Sequence, residues 1–475
     1  MHSKLLAFSL LFFMCGKGFA QTGGYEAGGY GQMGDDSAMI RRLADTILTD
    51  GKTYGNLKVL TKKVGARLSG SPGFYKGEKW GQAALEDAGA DKVWLQECMV
   101  PHWVRGGKDE AEFLVPGSRG SKKVGVQHLD ILELGNSIGT GPNGIEAPVM
   151  LVNNFDELEQ RKDEVKGKIV FYNYKFNPFF IETFAAYGDA VRYRGAGASR
   201  AAKYGAVAVL VRSMSSSVDN NPHTGAQNYN DSFPKIPAAA VGLRDADHMA
   251  AVLESGAKGR VYIRTLAHML PDTVAHNVIG ELRGSEFPDQ YITVGGHLDS
   301  WDPAEGAMDD GTGLVQSIEV LRALKAVGYH PRHTIRVVLF ANEENGGRGG
   351  RKYAEAAKAA GEKHLLGLES DNGGFTPRAF TLSLPEEKLA ALRPWVDLLR
   401  PYGVYEIERG GGGSDVNPMQ RVLGSVVGEY RPDSQRYFDY HHSRGDVLEV
   451  VNKRELELGA VNMAALVYLV DKYGL

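Results

Sequence analysis

From about Pro271 to the C-terminus, apolar runs of strand length alternate with longer runs of helical periodicity. This alternation restricts the fold more than any other feature of the chain. Strands are expected at Gln290–Gly295, Thr334–Ala341 and Leu365–Glu369, and helices at Thr312–Val327, Arg351–Ala360, Glu387–Arg400 and Arg454–Tyr473. Strands separated by helices pair mostly in parallel, because each crossover helix carries the chain back to the same end of the sheet. The expected fold class is α/β, with a mixed, mostly parallel sheet flanked by helices. In such sheets functional groups gather beyond the carboxyl ends of the strands.

The remaining sequence has a different texture. At 475 residues the chain is too long for one ordinary core, so a second domain is expected. Helical periodicity begins near Asp36, with Ile40, Leu43, Ile47 and Leu48 on one face. Arg67–Gly73 reads as a turn, followed by a helix from Phe74 to Gly89 and a strand near Val93–Val100. Between residues 131 and 265, short strand-like and helical runs mark a β-rich insert, so the main domain comprises 36–130 and 266–475. Residues 21–35 form a Gly-rich lead-in expected to be flexible.

Residues 1–20 read as a signal peptide: Lys4, then the apolar run Leu5–Met14, then Gly18-Phe19-Ala20 as a small-residue cleavage site. A secreted or periplasmic destination follows. Beyond that segment only Cys98 remains, so no intrachain disulfide can form and packing must hold the fold. A formal charge of −4 offers nothing to attract nucleic acid or an anionic membrane.

The chemistry-bearing residues follow the expected strands. His297 and Asp299 form a His-x-Asp between Gly295-Gly296 and Gly306-Ala-Met-Asp-Asp-Gly-Thr-Gly313. The tripeptide alone says little, since His128-Leu129-Asp130 repeats it with no such surroundings. Here Asp299 would orient the imidazole by hydrogen bonding. Of the adjacent acids that open a helix, Asp310 is read as its cap, and Asp309 as a carboxylate able to give one oxygen to each of two cations. Glu343 and Glu344 end a buried strand, where carboxylates are costly unless cations accompany them. Their side chains point to opposite sides, so one can ligate while the other takes a proton from water. Asp371 follows a third strand, and His441-His442 lie near the C-terminus.

As a set these residues close around two divalent ions, one taking His297, Asp309 and Asp371, the other Asp309, Glu344 and a C-terminal histidine. Three carboxylates leave one positive charge for a bridging hydroxide, with Glu343 as general base. Oxygen and nitrogen ligands without thiolate suit zinc, with cobalt or manganese as substitutes.

The ordered set His-x-Asp, Asp-Asp-Gly-x-Gly, Asn-Glu-Glu, Asp-Asn-Gly and His-Ser-x-x-Asp resembles the co-catalytic dizinc exopeptidases. That family includes bacterial leucyl aminopeptidases, glutamate carboxypeptidase and carboxypeptidase Q, and the last is the most similar. The resemblance spans nearly all of the chain beyond residue 20. It implies His297, Asp309, Glu344, Asp371 and His442 as metal ligands, Asp309 as the bridge, Asp299 as the histidine-orienting acid and Glu343 as the base. It selects His442 over His441, because the family's last ligand precedes Ser or Thr, two residues and an acid. It implies a cis Asp309–Asp310 peptide, as is often found in relatives, a protease-associated domain at 131–265, short unblocked peptides as substrates, and a homodimer. Two other readings compete: a non-catalytic binding homologue, and a glutaminyl cyclase-like transferase with one zinc and no insert. Which peptide terminus is recognised stays open, with Arg348, Arg409, Arg431, Arg444, Glu305 and Asp415 all near motif segments.

Overall fold

The computed structural model describes residues 28–115 and 125–475. The expected signal peptide and residues 21–27 lie outside the described residues. The main sheet has eight strands in the order Lys92–Val104, His268–Leu282, His333–Phe340, Phe287–His297, Lys363–Glu369, Val426–Pro432, Pro377–Leu382, Glu406–Arg409. Four of its seven pairings are parallel. Three of these join His333–Phe340, Phe287–His297, Lys363–Glu369 and Val426–Pro432 in the centre, where both faces are covered, and the fourth pairs Pro377–Leu382 with Glu406–Arg409 at the edge.

Covering both faces explains the unbroken apolar runs. Every residue of His333–Phe340 is buried. Val337 and Leu339 join the larger core, under the helices Thr312–Ala326 and Lys453–Tyr473. Val338 and Phe340 face the opposite way, onto the helices Arg348–Ala360 and Asn417–Leu423. Each fully buried aliphatic side chain in these layers contributes about 1.5–3 kcal/mol. The strands expected near 290, 334 and 365, and the four helices paired with them, agree with those observed to within three residues at each end.

The sequence reading missed four strands. His268–Leu282 begins with an exposed stretch that contains Pro271, and Pro377–Leu382, Glu406–Arg409 and Val426–Pro432 are short. They exist because neighbouring strands offer them partners, and local pattern does not record such partners.

A second eight-stranded sheet runs in the order Gly125–Leu129, Glu110–Val115, Arg260–Arg264, Ile145–Val152, Ile169–Tyr172, Ala208–Arg212, Ala238–Val241, Ile131–Glu133. The boundary expected at residue 131 falls inside it, since Glu110–Val115 pairs with both Gly125–Leu129 and Arg260–Arg264. Gly125–Leu129 is mostly exposed and Glu110–Val115 buries only Ala111 and Phe113, so the apolar pattern that would announce this hairpin is short. The middle of the sheet is parallel and is covered by the helices Thr183–Ala202 and Leu243–Glu254. The second copy of the tripeptide belongs here, with His128 exposed beside Glu112 and Asp130 paired to Arg444.

Arg105 seats this unit on the main sheet. Its guanidinium makes a two-pronged contact with Asp302 at 2.7 Å and donates to Asp109 and to the Glu133 carbonyl, both at 2.9 Å. Such forked charge-assisted pairs fix orientation as well as distance.

The lead-in expected at 21–35 is overturned in its second half, because the first helix runs Gly28–Asp50. Adding a turn to a helix already held by packing costs far less than starting one. Buried Asp36 ties this helix to the last one, accepting from Tyr468 Oη at 2.7 Å, Lys472 Nζ at 2.5 Å and Tyr473 Oη at 2.6 Å. Asp36→Ala strands three donors and is expected to lower unfolding free energy by about 1–3 kcal/mol. Denaturant melts of both proteins would measure this, and an unchanged midpoint would show that the cluster contributes nothing.

Candidate metal centre

Three neighbouring parallel strands deliver the acidic and imidazole groups from their carboxyl ends. His297 ends Phe287–His297, Glu343 and Glu344 follow His333–Phe340, and Asp371 follows Lys363–Glu369. Gly296 permits the approach of the next loop, since a Cβ there would lie 2.1 Å from Asp310 Oδ2. Asp310 uses the space twice, with Oδ2 accepting from His297 N at 3.1 Å and Oδ1 accepting from Gly313 N at 3.0 Å. It therefore caps the following helix, as its sequence position suggested. The Asp309–Asp310 peptide is cis.

Asp309 faces two sets of groups. Its Oδ1 lies 3.1 Å from His297 Nε2, which is 3.4 Å from Asp371 Oδ1. Its Oδ2 lies 3.2 Å from His442 Nε2, which is 3.0 Å from Glu344 Oε2. Ligand atoms about 2.0 Å from a tetrahedral ion sit about 3.3 Å apart, so both sets have the spacing of a shared coordination sphere. His441 Nε2 is farther, 3.7 Å from Asp309 Oδ2, and its ring stacks on that of His442 with centroids 3.5 Å apart. Asp309 Oδ2, Glu344 Oε1 and Asp371 Oδ1 are buried without hydrogen-bond partners. Buried acceptors left this way fit cations.

The electrostatics agree with that fit. Burial, with the Asp309 charge added, pushes Glu344 up to about 8, and burial raises Asp371 to about 7. Burial pulls His297 and His442 down, but the carboxylates outweigh it and hold both imidazoles well above the usual histidine range. These shifts favour the protonated forms, which bound cations would displace.

Three further groups hold this arrangement. Asp299 does not orient His297 in the expected way. The Asp299 backbone carbonyl is 2.9 Å from His297 Nδ1, whereas its carboxylate is 3.8 Å away. The carboxylate instead accepts from Glu343 N at 3.0 Å and Glu344 N at 3.3 Å, fixing the turn that carries both glutamates. Asp446 accepts from Ala307 N at 3.0 Å, Met308 N at 2.6 Å and Asp309 N at 3.2 Å, so it positions the backbone of Asp309. Fully buried Arg67 donates to the carbonyls of Leu298, Glu305 and Gly306, beneath the acids. The Asp446 role was readable only as the final acid of the last motif, and that of Arg67 was not readable, because its partners are backbone carbonyls some 230 residues on.

A cavity of about 370 Å³ opens over Asp309, Glu343, Glu344, Asp371 and His442. Its wall also contains Arg194, Phe184 and Tyr187 from the second unit and Glu429 from the main sheet, none of which the sequence singled out. Of the four arginines considered from sequence, Arg409 is exposed and the other three face carboxylates. Arg348 pairs with Asp272, Arg444 with Asp130, and Arg431 lies between Glu182 and Glu429. Glu305 pairs with Lys62, and Asp415 is buried beside Glu369.

The model of peptidase family M28 matches residues 277–467, the segment holding every proposed ligand. Human carboxypeptidase Q is 37% identical over 438 residues, covering 92% of this chain and 89% of its own. The crystal structure of a peptidase M28 precursor from Shewanella amazonensis superposes with a TM-score of 0.86 at 30% identity, covering 92% of this chain and 97% of that one. A zinc aminopeptidase from Bacillus subtilis shares the fold, with a TM-score of 0.61 at 18% identity and coverage of 88% and 94%. Likeness at this level over nearly the whole of both chains is decisive: the chain belongs to peptidase family M28 and is a zinc metallo-exopeptidase close to carboxypeptidase Q.

Proposed function

We propose that the protein is a secreted or periplasmic exopeptidase that uses two zinc ions to hydrolyse dipeptides or short unblocked peptides, with Glu343 as general base. The observation that carries this reading is Asp309, whose two oxygens each face a separate ligand set on the floor of one cavity. His297 and Asp371 would hold one ion, His442 and Glu344 the other, and Asp309 both. When bound, such a pair polarises a scissile carbonyl and acidifies water.

The protein's own groups do the rest. Glu343 reaches the cavity while its backbone is pinned by Asp299, so its carboxylate is free to accept a proton from the attacking water. It then returns that proton to the leaving amine, one group acting as base and then as acid. Glu429, 3.6 Å from Arg431, brings a carboxylate to the cavity wall for a free substrate ammonium to share, which favours substrates with an unblocked N-terminus. The second sheet is read as a protease-associated domain, and Phe184, Tyr187 and Arg194 give it a part in shaping access. Among the described residues no helix is long and apolar enough to cross a membrane.

Glu343→Gln should keep both zinc ions, by metal analysis, while kcat/KM on a dipeptide falls about 10²–10⁴-fold. Near-normal turnover would remove Glu343 as the base. A free dipeptide should be cleaved and its N-acetylated form resisted. Equal rates on both would exclude Glu429 as an ammonium acceptor, and the C-amidated form reports on the other terminus.

Chelation should abolish activity and reveal a pH dependence of stability. Above pH 6.5 the unfolded chain has already released its carboxyl and most imidazole protons. The folded, metal-stripped site still holds them on His297, His442, Asp371 and Glu344. Folded pKa values raised above unfolded ones mean that stability is lost as pH rises through them. The melting temperature of stripped protein should therefore fall between pH 6.5 and about 8.5, and zinc should remove the fall. Identical pH profiles with and without zinc would contradict the ligand set.

A further inference from the structure

We infer that the second unit completes the metal centre, and that Arg194 is a positioning residue for His442 acting through the backbone of Thr224–Ala226. The inference rests on the reading of His442 as a ligand of the second ion.

An imidazole that ligates through Nε2 keeps its proton on Nδ1, and that proton needs an acceptor. Nδ1 of His442 lies 3.3 Å from the Thr224 carbonyl, which belongs to the second unit. Thr224 N also donates to the His442 carbonyl at 2.9 Å, so the two residues are tied from both sides. Among the described residues His442 is one of three non-glycine residues with positive φ, at 58°. The helix and sheet ladders of the main domain do not impose that conformation on it.

Arg194 fixes the acceptor. Its Nη1 donates to the Thr224 carbonyl at 3.3 Å, its Nε to the Ala226 carbonyl at 3.3 Å, and its Nη2 to Tyr187 Oη at 2.6 Å. Nη1 is also 3.4 Å from His442 Nδ1. Guanidinium cannot accept, so with Nδ1 protonated both groups donate to the same carbonyl, which has two lone pairs. Arg194 is 9% exposed. Tyr187 in turn stacks on Phe438, with centroids 4.8 Å apart, and meets His441 edge-on at 5.1 Å. Gly225 records how tightly the parts fit, because at φ +125° its Cβ would lie 2.4 Å from Arg194 Nη1 and 2.6 Å from His442 Nδ1. Only glycine lets guanidinium, carbonyl and imidazole meet there.

The main domain alone therefore provides His442 but not the group that sets its tautomer. The first ion differs, since His297 is oriented by the Asp299 carbonyl within the main domain. Losing Arg194 should weaken one ion and spare the other.

Full-length wild type, Arg194→Met and Tyr187→Phe would be stripped with chelator and titrated with zinc against a chromophoric competitor. Circular dichroism and melting of the stripped proteins would report folding. Wild type is expected to bind two zinc ions. Arg194→Met should bind the first with wild-type affinity and the second about 10–100-fold more weakly, and Tyr187→Phe should move the same way by less. If Arg194→Met does not fold, the comparison is read on Tyr187→Phe. Wild-type affinity for both ions in a folded variant, or equal weakening of both, overturns the positioning role and leaves the dizinc reading intact. A wild type that takes up fewer than two ions overturns the dizinc reading itself, and this inference with it.

Discussion

The Asp309 carboxylate is the group around which the rest of the site is built. It is buried, and each of its oxygens is shared with a different imidazole. Burial, and after it repulsion from the Asp309 carboxylate, disfavours the charged forms of Glu344 and Asp371 when no cation is present. Bound divalent cations would remove that cost. The surrounding scaffold fixes Asp309 without touching its carboxylate: Asp446 takes the three amides that lead into it, and Asp310 takes the amides of His297 and Gly313.

The parallel centre of the sheet makes this possible. Three adjacent strands end at the same edge, so His297, Glu344 and Asp371 arrive from residues far apart in sequence at one place. The strands are buried on both faces, which keeps their ends still. Placement of reacting groups to a fraction of an ångström is worth several kcal/mol in a hydrolytic site, and rigid elements supply it better than loops do.

The second unit is bound into the same design. Arg105 anchors it beside the loop that follows Asp299, and Phe184, Tyr187 and Thr224 pack on the segment that carries His442. A peptide entering the cavity meets side chains from both units. The cavity wall and the setting of His442 therefore depend on one interface.

Much of this was legible in the sequence. Buried parallel strands leave continuous apolar runs, amphipathic helices leave their period, and ligands follow strands in spaced motifs. Asp299 shows where such reading stops, because its position was right but its carboxylate binds the Glu343–Glu344 turn rather than the histidine. Arg67 and Arg194 show the same limit, since each bonds to backbone carbonyls that any residue type could provide. The second sheet's true start, near Glu110, depended on pairing with a strand some 150 residues later. By itself the sequence determined the sheet type and which acidic and imidazole groups follow the central strands, because these are encoded in residue type and local spacing. The tertiary structure alone decided which carbonyls lie against the two imidazoles, and that the second of these carbonyls comes from the other unit, because main-chain acceptors carry no sequence signature and act only where the fold brings them.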